Sequence, residues 1–478
     1  YLIALLYGSY YVVGHLIGKF PSSSDFAVQF LIMPEGFYLL GRFMNALAMI
    51  LAFLVFYKTL RFLVKPLLSF LLTLLLMFSL HVFEFTFWMV PDAVLLLGSV
   101  IVFHYMVKNY FRNLKWTEIV AASLICGLTI STKYNAGFLA PAWLLALILK
   151  ENFSGKQRIK RLLISGGIVL AGFLMGTPYW LIEFSEFKSG FYMITSQARF
   201  SYNIQAGIPY FWEISDLIRT EWLLGILMLG VLLAYFYRLN KLLLPFFLVT
   251  LATFLYAGSW EKKGWDYLLV LYPGLLISLA WWLKEVSENR LVKRALLSLI
   301  IFSLVLNIPR VLYQNFLHTR QDTRQLASAW IMENIPAGSS ICYDHYHYDL
   351  NLIDIGRYTE YGEGSRLLSD KLKEKLEIFR DSPRNYRFIS AQKDLDMPRI
   401  ENIALLEEVK SDTFLWQVYT HPHKTLAEIE TDSAQILILN SLTVRKFLEN
   451  QPPPGQNPLR EDFLNRRNFY EKVIKALE

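Results

Sequence analysis

Apolar runs of near membrane-spanning length recur ten times before about residue 315, at about 36–57, 66–84, 92–107, 117–132, 135–150, 162–178, 219–237, 242–258, 267–283 and 295–313. In hydrocarbon the backbone polar groups must be satisfied within a helix or a closed barrel, and uninterrupted apolar runs of this length are helices. The pattern therefore restricts the fold to a polytopic α-helical membrane bundle. Several runs fall short of the roughly 20 residues a perpendicular helix needs, so their ends are soft. With 54% hydrophobic and 15% aromatic residues, the composition excludes an ordinary soluble globule. The apolar excess stops near residue 315, which divides the chain into three expected regions. Residues 1–35 read as an interfacial helix (1–18) and a Ser-rich loop (19–35), residues 36–313 as the bundle, and residues 314–478 as a soluble α/β domain.

Lysine and arginine set the expected orientation. The loops that begin near Lys58, Lys108, Lys150, Arg238 and Lys284 hold seventeen of these residues, and the alternate loops hold seven. The positive-inside rule places the first set in the cytoplasm. The protein is then expected in the plasma (inner) membrane, with residues 314–478 extracytoplasmic. The net charge of +7 follows from this topology and calls for no nucleic-acid partner, while the basic loops face anionic membrane lipids favourably. Cys126 lies in an apolar run and Cys342 in the soluble part, so a disulfide between them is not expected. No zinc-type Cys/His spacing, phosphate-cradling Gly-rich loop or fixed-period repeat occurs. The chain opens at Tyr1-Leu2-Ile3 inside an apolar stretch, with neither initiator Met nor basic leader, and reads as a fragment of a longer protein.

Chemistry concentrates in the expected outer turns. Phe85-Thr86-Phe87-Trp88-Met89-Val90-Pro91-Asp92 puts one carboxylate at a membrane edge, where a charge is expensive and functional by default. Pro91-Asp92 ahead of Ala93-Val94-Leu95 also reads as a helix start with Asp92 as N-cap, and the two roles are compatible. Lys133 ends one apolar run just before the next, which suits either a phosphate ligand or a snorkelling helix-end anchor. Lys262 and Lys263 form a second outer basic pair. Arg42, near the outer end of a run, either contacts ligand or pairs with a neighbour. Glu84 and His81 flank the Asp92 turn, and for His81 the expectation is an interfacial residue without a role. The aromatic loop at 180–218 either covers a cavity or anchors at the interface.

Beyond Arg310, 322–331 has helical periodicity, and 340–343, 386–390 and 434–440 read as strands. His345 and His347 alternate onto one face of an extended segment but lack a third ligand, and His421 and His423 are distant, so no metal site is assigned.

Tyr38-Leu39-Leu40-Gly41-Arg42-Phe43-Met44-Asn45, Val90-Pro91-Asp92, Gly127-Leu128-Thr129-Ile130-Ser131-Thr132-Lys133-Tyr134, Gly176-Thr177-Pro178-Tyr179 and Tyr267-Leu268-Leu269-Val270-Leu271-Tyr272-Pro273 follow one another in an order that resembles the GT-C glycosyltransferases. The likeness is to the protein-mannosyltransferase-like branch that includes the bacterial aminoarabinose transferase, and covers about residues 1–313. Each motif alone is weak; order and spacing carry the resemblance. It implies a polyprenyl-phosphate-linked sugar as donor, a lipid, glycan or protein acceptor at the outer face, and inversion at the anomeric carbon. It implies a catalytic base in a first outer loop upstream of Tyr1, and matches Asp92 to the carboxylate of the second outer loop, which lines the same cavity. By the same resemblance Lys133, Lys262, Lys263 and Arg42 are candidates for the donor phosphate, and Glu84, Tyr134 and Tyr267 for the acceptor side. Relatives often carry a basic residue just before that Tyr, where this chain has Asp266.

The chemistry is coherent without the name. Inverting transfer needs a carboxylate to take the acceptor's proton, worth roughly 10²–10⁴ in rate, and cations to hold the departing phosphate. No nucleotide, metal or other cofactor is obligatory, although a divalent ion is compatible. A transporter of lipid-linked sugars would share the spans and the outer cations but carry paired repeats and interrupted helices. An inactive relative acting as a membrane scaffold is the third class of reading.

Overall fold

The computed structural model describes residues 2–87, 90–150, 154–200, 210–237, 240–260, 264–285, 290–321, 323–343, 352–360, 368–390, 436–438, 448, 464, 467–472 and 475. The histidines 345, 347, 421 and 423 lie outside the described residues. The chain divides into two compact units, one of residues 38–187 and 206–317, the other of residues 1–37, 188–205 and 318–478.

The described elements of the first unit are all helices. Four helices are long and apolar enough to cross a membrane: Glu35–Leu60, Asp92–Phe111, Gly155–Gly176 and Arg290–His318. Shorter apolar helices, among them Pro66–Met77, Trp116–Thr132 and Leu243–Gly258, accompany them. Leu39, Phe43, Ile50 and Leu54 on Glu35–Leu60, and Leu163, Leu170 and Met175 on Gly155–Gly176, stand exposed, which is tenable only where the surrounding medium is itself apolar. The architecture is that of a helical membrane protein. At its centre Leu271–Glu285 is buried along nearly its whole length, as expected of a helix that is apolar all round.

Helix ends follow local chemistry. Pro66 sits at the start of its helix, where its missing N–H costs nothing. Ser154 and Gln157 close a capping box at the start of Gly155–Gly176. Two of the expected single runs are interrupted. The run at 66–84 is two helices, Pro66–Met77 and Leu80–Phe87, and the run at 219–237 is joined at Trp222 to a preceding polar helix, Phe211–Glu221. Trp222 and Tyr210, at the two ends of that polar helix, both have positive φ, of 50° and 65°, a region that non-glycine residues adopt only when the surroundings enforce it. Arg310 supports the Trp222 corner by donating to the Thr220 carbonyl at 2.7 Å and lying 4.6 Å over the Trp222 ring.

Trp116–Thr132 and Gly155–Gly176 approach backbone to backbone. A Cβ on Gly127 would meet the Val169 carbonyl at 2.0 Å, and one on Gly172 the Leu124 carbonyl at 2.5 Å. Small residues at a helix crossing permit this contact in membrane bundles. Gly127→Leu is therefore expected to push the two helices apart, and at about 1–3 kcal/mol or more of overpacking to lower the melting temperature of the purified protein measurably. An unchanged melting temperature would show that the crossing is not as close as described.

In the other unit, the expected Ser-rich loop at 19–35 contains a helix, Ser23–Ile32, which Ser22 caps through the Asp25 N–H. Phe20, Phe26 and Phe37 pack edge to face around Tyr10 at centroid separations of 5.0–6.1 Å. Asp25 pairs with Lys375 on the Asp370–Glu377 helix, and Ile32 joins Leu372 and Leu376 in a small core. Strand Ser340–Tyr343 lies between parallel strands Arg387–Ser390 and Ile436–Ile438, after the Thr323–Asn334 helix.

Candidate active site

Three elements converge on one ammonium. Asp92 opens the Asp92–Phe111 helix, Lys133 closes Trp116–Thr132, and Asp266 lies in the short 3₁₀ turn Trp265–Tyr267. Lys133 Nζ donates to Asp92 Oδ1 at 2.9 Å, to Asp266 Oδ2 at 2.7 Å and to the Asp266 carbonyl at 3.3 Å. It also lies 4.9 Å over the Tyr267 ring, a favourable cation–π contact. Neighbouring amides fix the frame. Asn135 donates to the Tyr267 carbonyl at 2.8 Å, and Asn45 to the Val90 carbonyl at 3.1 Å, just before Asp92. Glycine at 264 leaves room for the Asp266 carboxylate, because a Cβ there would come within 2.4 Å of Asp266 Oδ1.

The N-cap reading of Asp92 is corrected here. Pro91 occupies the cap, no side chain caps this helix, and Asp92 is its first residue, with its carboxylate turned to Lys133 instead. Asp92 is only 3% exposed, so the ion pair compensates a charge that water does not reach. Two carboxylates around one ammonium leave the cluster with one net negative charge.

Of the other sequence candidates, Tyr267 belongs to this cluster, and Tyr134 turns to an aromatic group with Phe173 and Phe187. Arg42 and Glu84 are exposed, and neither shares a hydrogen bond or ion pair with the cluster among the described residues. Lys262 and Lys263 lie outside the described residues.

A second polar group shares the Trp265–Tyr267 turn, and sequence reading did not find it. His81, expected to have no role, is buried and stacked on Trp265 with centroids 4.4 Å apart. Its Nε2 faces Asp216 Oδ2 at 3.2 Å, and its Nδ1 meets the Tyr272 hydroxyl at 2.6 Å; in the neutral ring Nε2–H donates and Nδ1 accepts. Trp265 Nε1 donates to the same Asp216 oxygen at 2.7 Å. Burial pushes the Asp216 carboxyl up, but the hydrogen bonds from His81 and Trp265 outweigh it and hold the group below its ordinary value.

Glu221, fully buried, accepts from Ser79 Oγ at 2.6 Å, from the His81 N–H at 3.0 Å and from Asn307 Nδ2 at 3.2 Å. Its carboxylate thereby satisfies the N-terminus of Leu80–Phe87 at the interruption after Phe78. Adjacent residues of one turn thus serve two networks: Trp265 the His81 group and Asp266 the Asp92–Lys133 pair.

A bundle of apolar helices with a charged cluster at its helix ends defines a helical membrane protein with a polar site. Residues 38–181, which include both Asp92 and Lys133, match the family model described as dolichyl-phosphate-mannose-protein mannosyltransferase. Comparison with curated proteins and with solved structures returns no match. The matched family is one of membrane glycosyltransferases that use a lipid-linked sugar donor and an acceptor.

Proposed function

We propose that the protein transfers a sugar from a polyprenyl-phosphate donor to a hydroxyl or amine acceptor at the outer face of the membrane, inverting the anomeric carbon. One observation carries the reading. Within the family-matched stretch, a buried carboxylate and an ammonium are brought together at the turn between helices, which supplies the acid–base and the phosphate-binding groups that such a transfer needs.

In this reading the acceptor oxygen or nitrogen attacks the anomeric carbon, and the bond from that carbon to the phosphate oxygen breaks. The electron pair leaves with the polyprenyl phosphate. Asp92 orients the acceptor and takes its proton or shares that task with another carboxylate. The donor phosphate replaces Asp266 at Lys133. Because the phosphate gains a second negative charge as the bond breaks, the ammonium binds the departing group more strongly in the transition state than in the ground state, which is what accelerates the step. Lys262 and Lys263, just before that turn in sequence, complete the cation set. Residues 36–313 form the membrane part, and residues 314–478 lie outside the cytoplasm, in keeping with the seventeen-to-seven charge bias.

One observation favours a second reading. Helices interrupted at 78–79 and at Trp222 around a buried carboxylate are features of lipid or solute transporters. Full-length protein in vesicles supplied with radiolabelled polyprenyl-phosphate sugar separates the two. Transfer predicts release of free polyprenyl phosphate with the label on an acceptor; labelled lipid that changes leaflet without cleavage would establish transport and overturn the transferase reading.

A further inference from the structure

The Trp265–Tyr267 turn is only three residues long, and it is gripped from two sides. On one side Lys133 holds the carboxylate and the carbonyl of Asp266, and Asn135 holds the Tyr267 carbonyl. On the other, the Trp265 side chain, buried at 7% exposure, donates to Asp216 and lies against His81. The turn therefore ties together segments that are remote from one another in the chain. Asp216 is bonded to neither Asp92 nor Lys133, so whatever reaches them from it passes through this turn.

The Trp265 grip is itself braced. Asp216 Oδ2 accepts from Trp265 Nε1 at 2.7 Å and faces His81 Nε2 at 3.2 Å, while Oδ1 accepts from the Thr220 hydroxyl at 3.5 Å. His81 is held at both ends, its backbone N–H by Glu221 at 3.0 Å and its Nδ1 by the Tyr272 hydroxyl at 2.6 Å, so Trp265 stacks on a fixed ring. The Phe211–Glu221 helix that carries Asp216 is pinned in turn, because Arg310 donates to the Thr220 carbonyl in its last turn.

A side chain held by a directional hydrogen bond and by a stacked ring keeps one rotamer, and its Cα is then fixed as well. The next Cα along the chain lies about 3.8 Å away, and it belongs to Asp266. The 3₁₀ geometry, closed by the Leu268 N–H on the Trp265 carbonyl at 3.0 Å, leaves little freedom between the two residues. Placement of the indole thus becomes placement of the carboxylate.

We propose that Asp216 is a positioning residue: acting through Trp265, it sets where the Asp266 carboxylate and the Lys133 ammonium meet. Its effect on rate rests on the sugar transfer proposed above; its hold on the turn does not. A reacting group displaced by about 1 Å can cost as much as 10²-fold in rate, so a residue that touches no substrate still matters to the transfer. What Asp216 must supply is an acceptor in the right place, not a charge.

The test compares two substitutions in the full-length protein. In Asp216→Asn the amide oxygen can take the place of Oδ2 and accept from both Trp265 and His81, and the amide nitrogen can donate to Thr220, so turnover is expected within a few-fold of wild type. Asp216→Ala removes the acceptor and is expected to lower turnover by roughly 10–100-fold. If the alanine variant does not fold, Trp265→Phe, which keeps a ring on His81 and loses only the Nε1–H, should still lower it several-fold. A loss in Asp216→Asn as large as in Asp216→Ala would show that the charge acts rather than the placement, and would overturn the proposal; so would undiminished turnover in a folded Asp216→Ala or Trp265→Phe. Thermal melts probe the same coupling without any transfer. Asp216→Ala and Lys133→Met combined should lower the melting temperature by less than the sum of their separate shifts, because the second change loosens a turn that the first has already released. Shifts that simply add would overturn the coupling. Absence of transfer by the wild type, with the melting shifts still short of additive, would instead sink the transferase reading and leave the positioning of Asp266 standing.

Discussion

Asp92→Asn in the full-length protein is expected to lower turnover by about 10²–10⁴-fold, the range that general-base assistance supplies, while donor binding and the melting temperature stay close to wild type. The substitution is clean for a structural reason. Pro91, not Asp92, caps the helix, so its start is unaffected, and the Asn carbonyl oxygen can still accept from Lys133 in the position of Oδ1 at 2.9 Å. Only the charge and the basicity are lost. Initial rates of sugar transfer, together with donor affinity on the same preparation, decide the matter. Turnover within a few-fold of wild type would remove Asp92 from the chemistry and leave it as a structural partner of Lys133.

Removing Lys133 should damage both fold and activity. Lys133→Met leaves the carboxylates of Asp92 and Asp266 facing each other across the space the ammonium filled, one of them almost wholly buried. Breaking a buried ion pair by deleting one partner costs about 3–5 kcal/mol, and the partial exposure of Asp266 places this case toward the lower end. A second change tests that cause. Lys133→Met/Asp266→Asn removes the repulsion and is expected to recover most of the lost thermal stability, but not turnover, because the ammonium proposed to hold the phosphate is still missing. Thermal melts and transfer rates on the two variants give the comparison. A single variant as stable and as active as wild type would show that Lys133 is only a surface anchor.

The positions of the apolar helices were legible because an apolar run and a membrane helix are the same physical object. Glu35–Leu60, Trp116–Thr132, Leu243–Gly258 and Arg290–His318 lie where the runs at 36–57, 117–132, 242–258 and 295–313 place them. The interruptions were not legible. Phe78 and Leu80 are as apolar as their neighbours, and what ends one helix and starts the next is tertiary: the Glu221 carboxylate, 140 residues away along the chain, takes up the His81 N–H. The same distance hid the role of His81, whose partners Asp216, Trp265 and Tyr272 come from three other segments. Ser23–Ile32 was missed for a local reason, since Ser22, Ser23 and Ser24 read as loop while Ser22 in fact caps a helix. In the candidate site, Asp92 and Lys133 stood out as charges at the ends of apolar runs. Asp266 stood out only as an unexpected acid before Tyr267, and its sense as the second carboxylate on Lys133 needed the fold.

In the proposed transfer, the Asp92–Lys133–Asp266 cluster holds the polyprenyl-phosphate sugar while it is cleaved. The most direct measurement is a structure of the full-length protein with a non-cleavable polyprenyl-phosphate sugar analogue bound. The phosphate is expected within about 2.7–2.9 Å of Lys133 Nζ, the distance of a charge-assisted hydrogen bond, with Asp266 displaced and the anomeric carbon facing Asp92. A phosphate bound elsewhere, with Lys133 still clasped by both carboxylates, would show that this cluster is not the donor site.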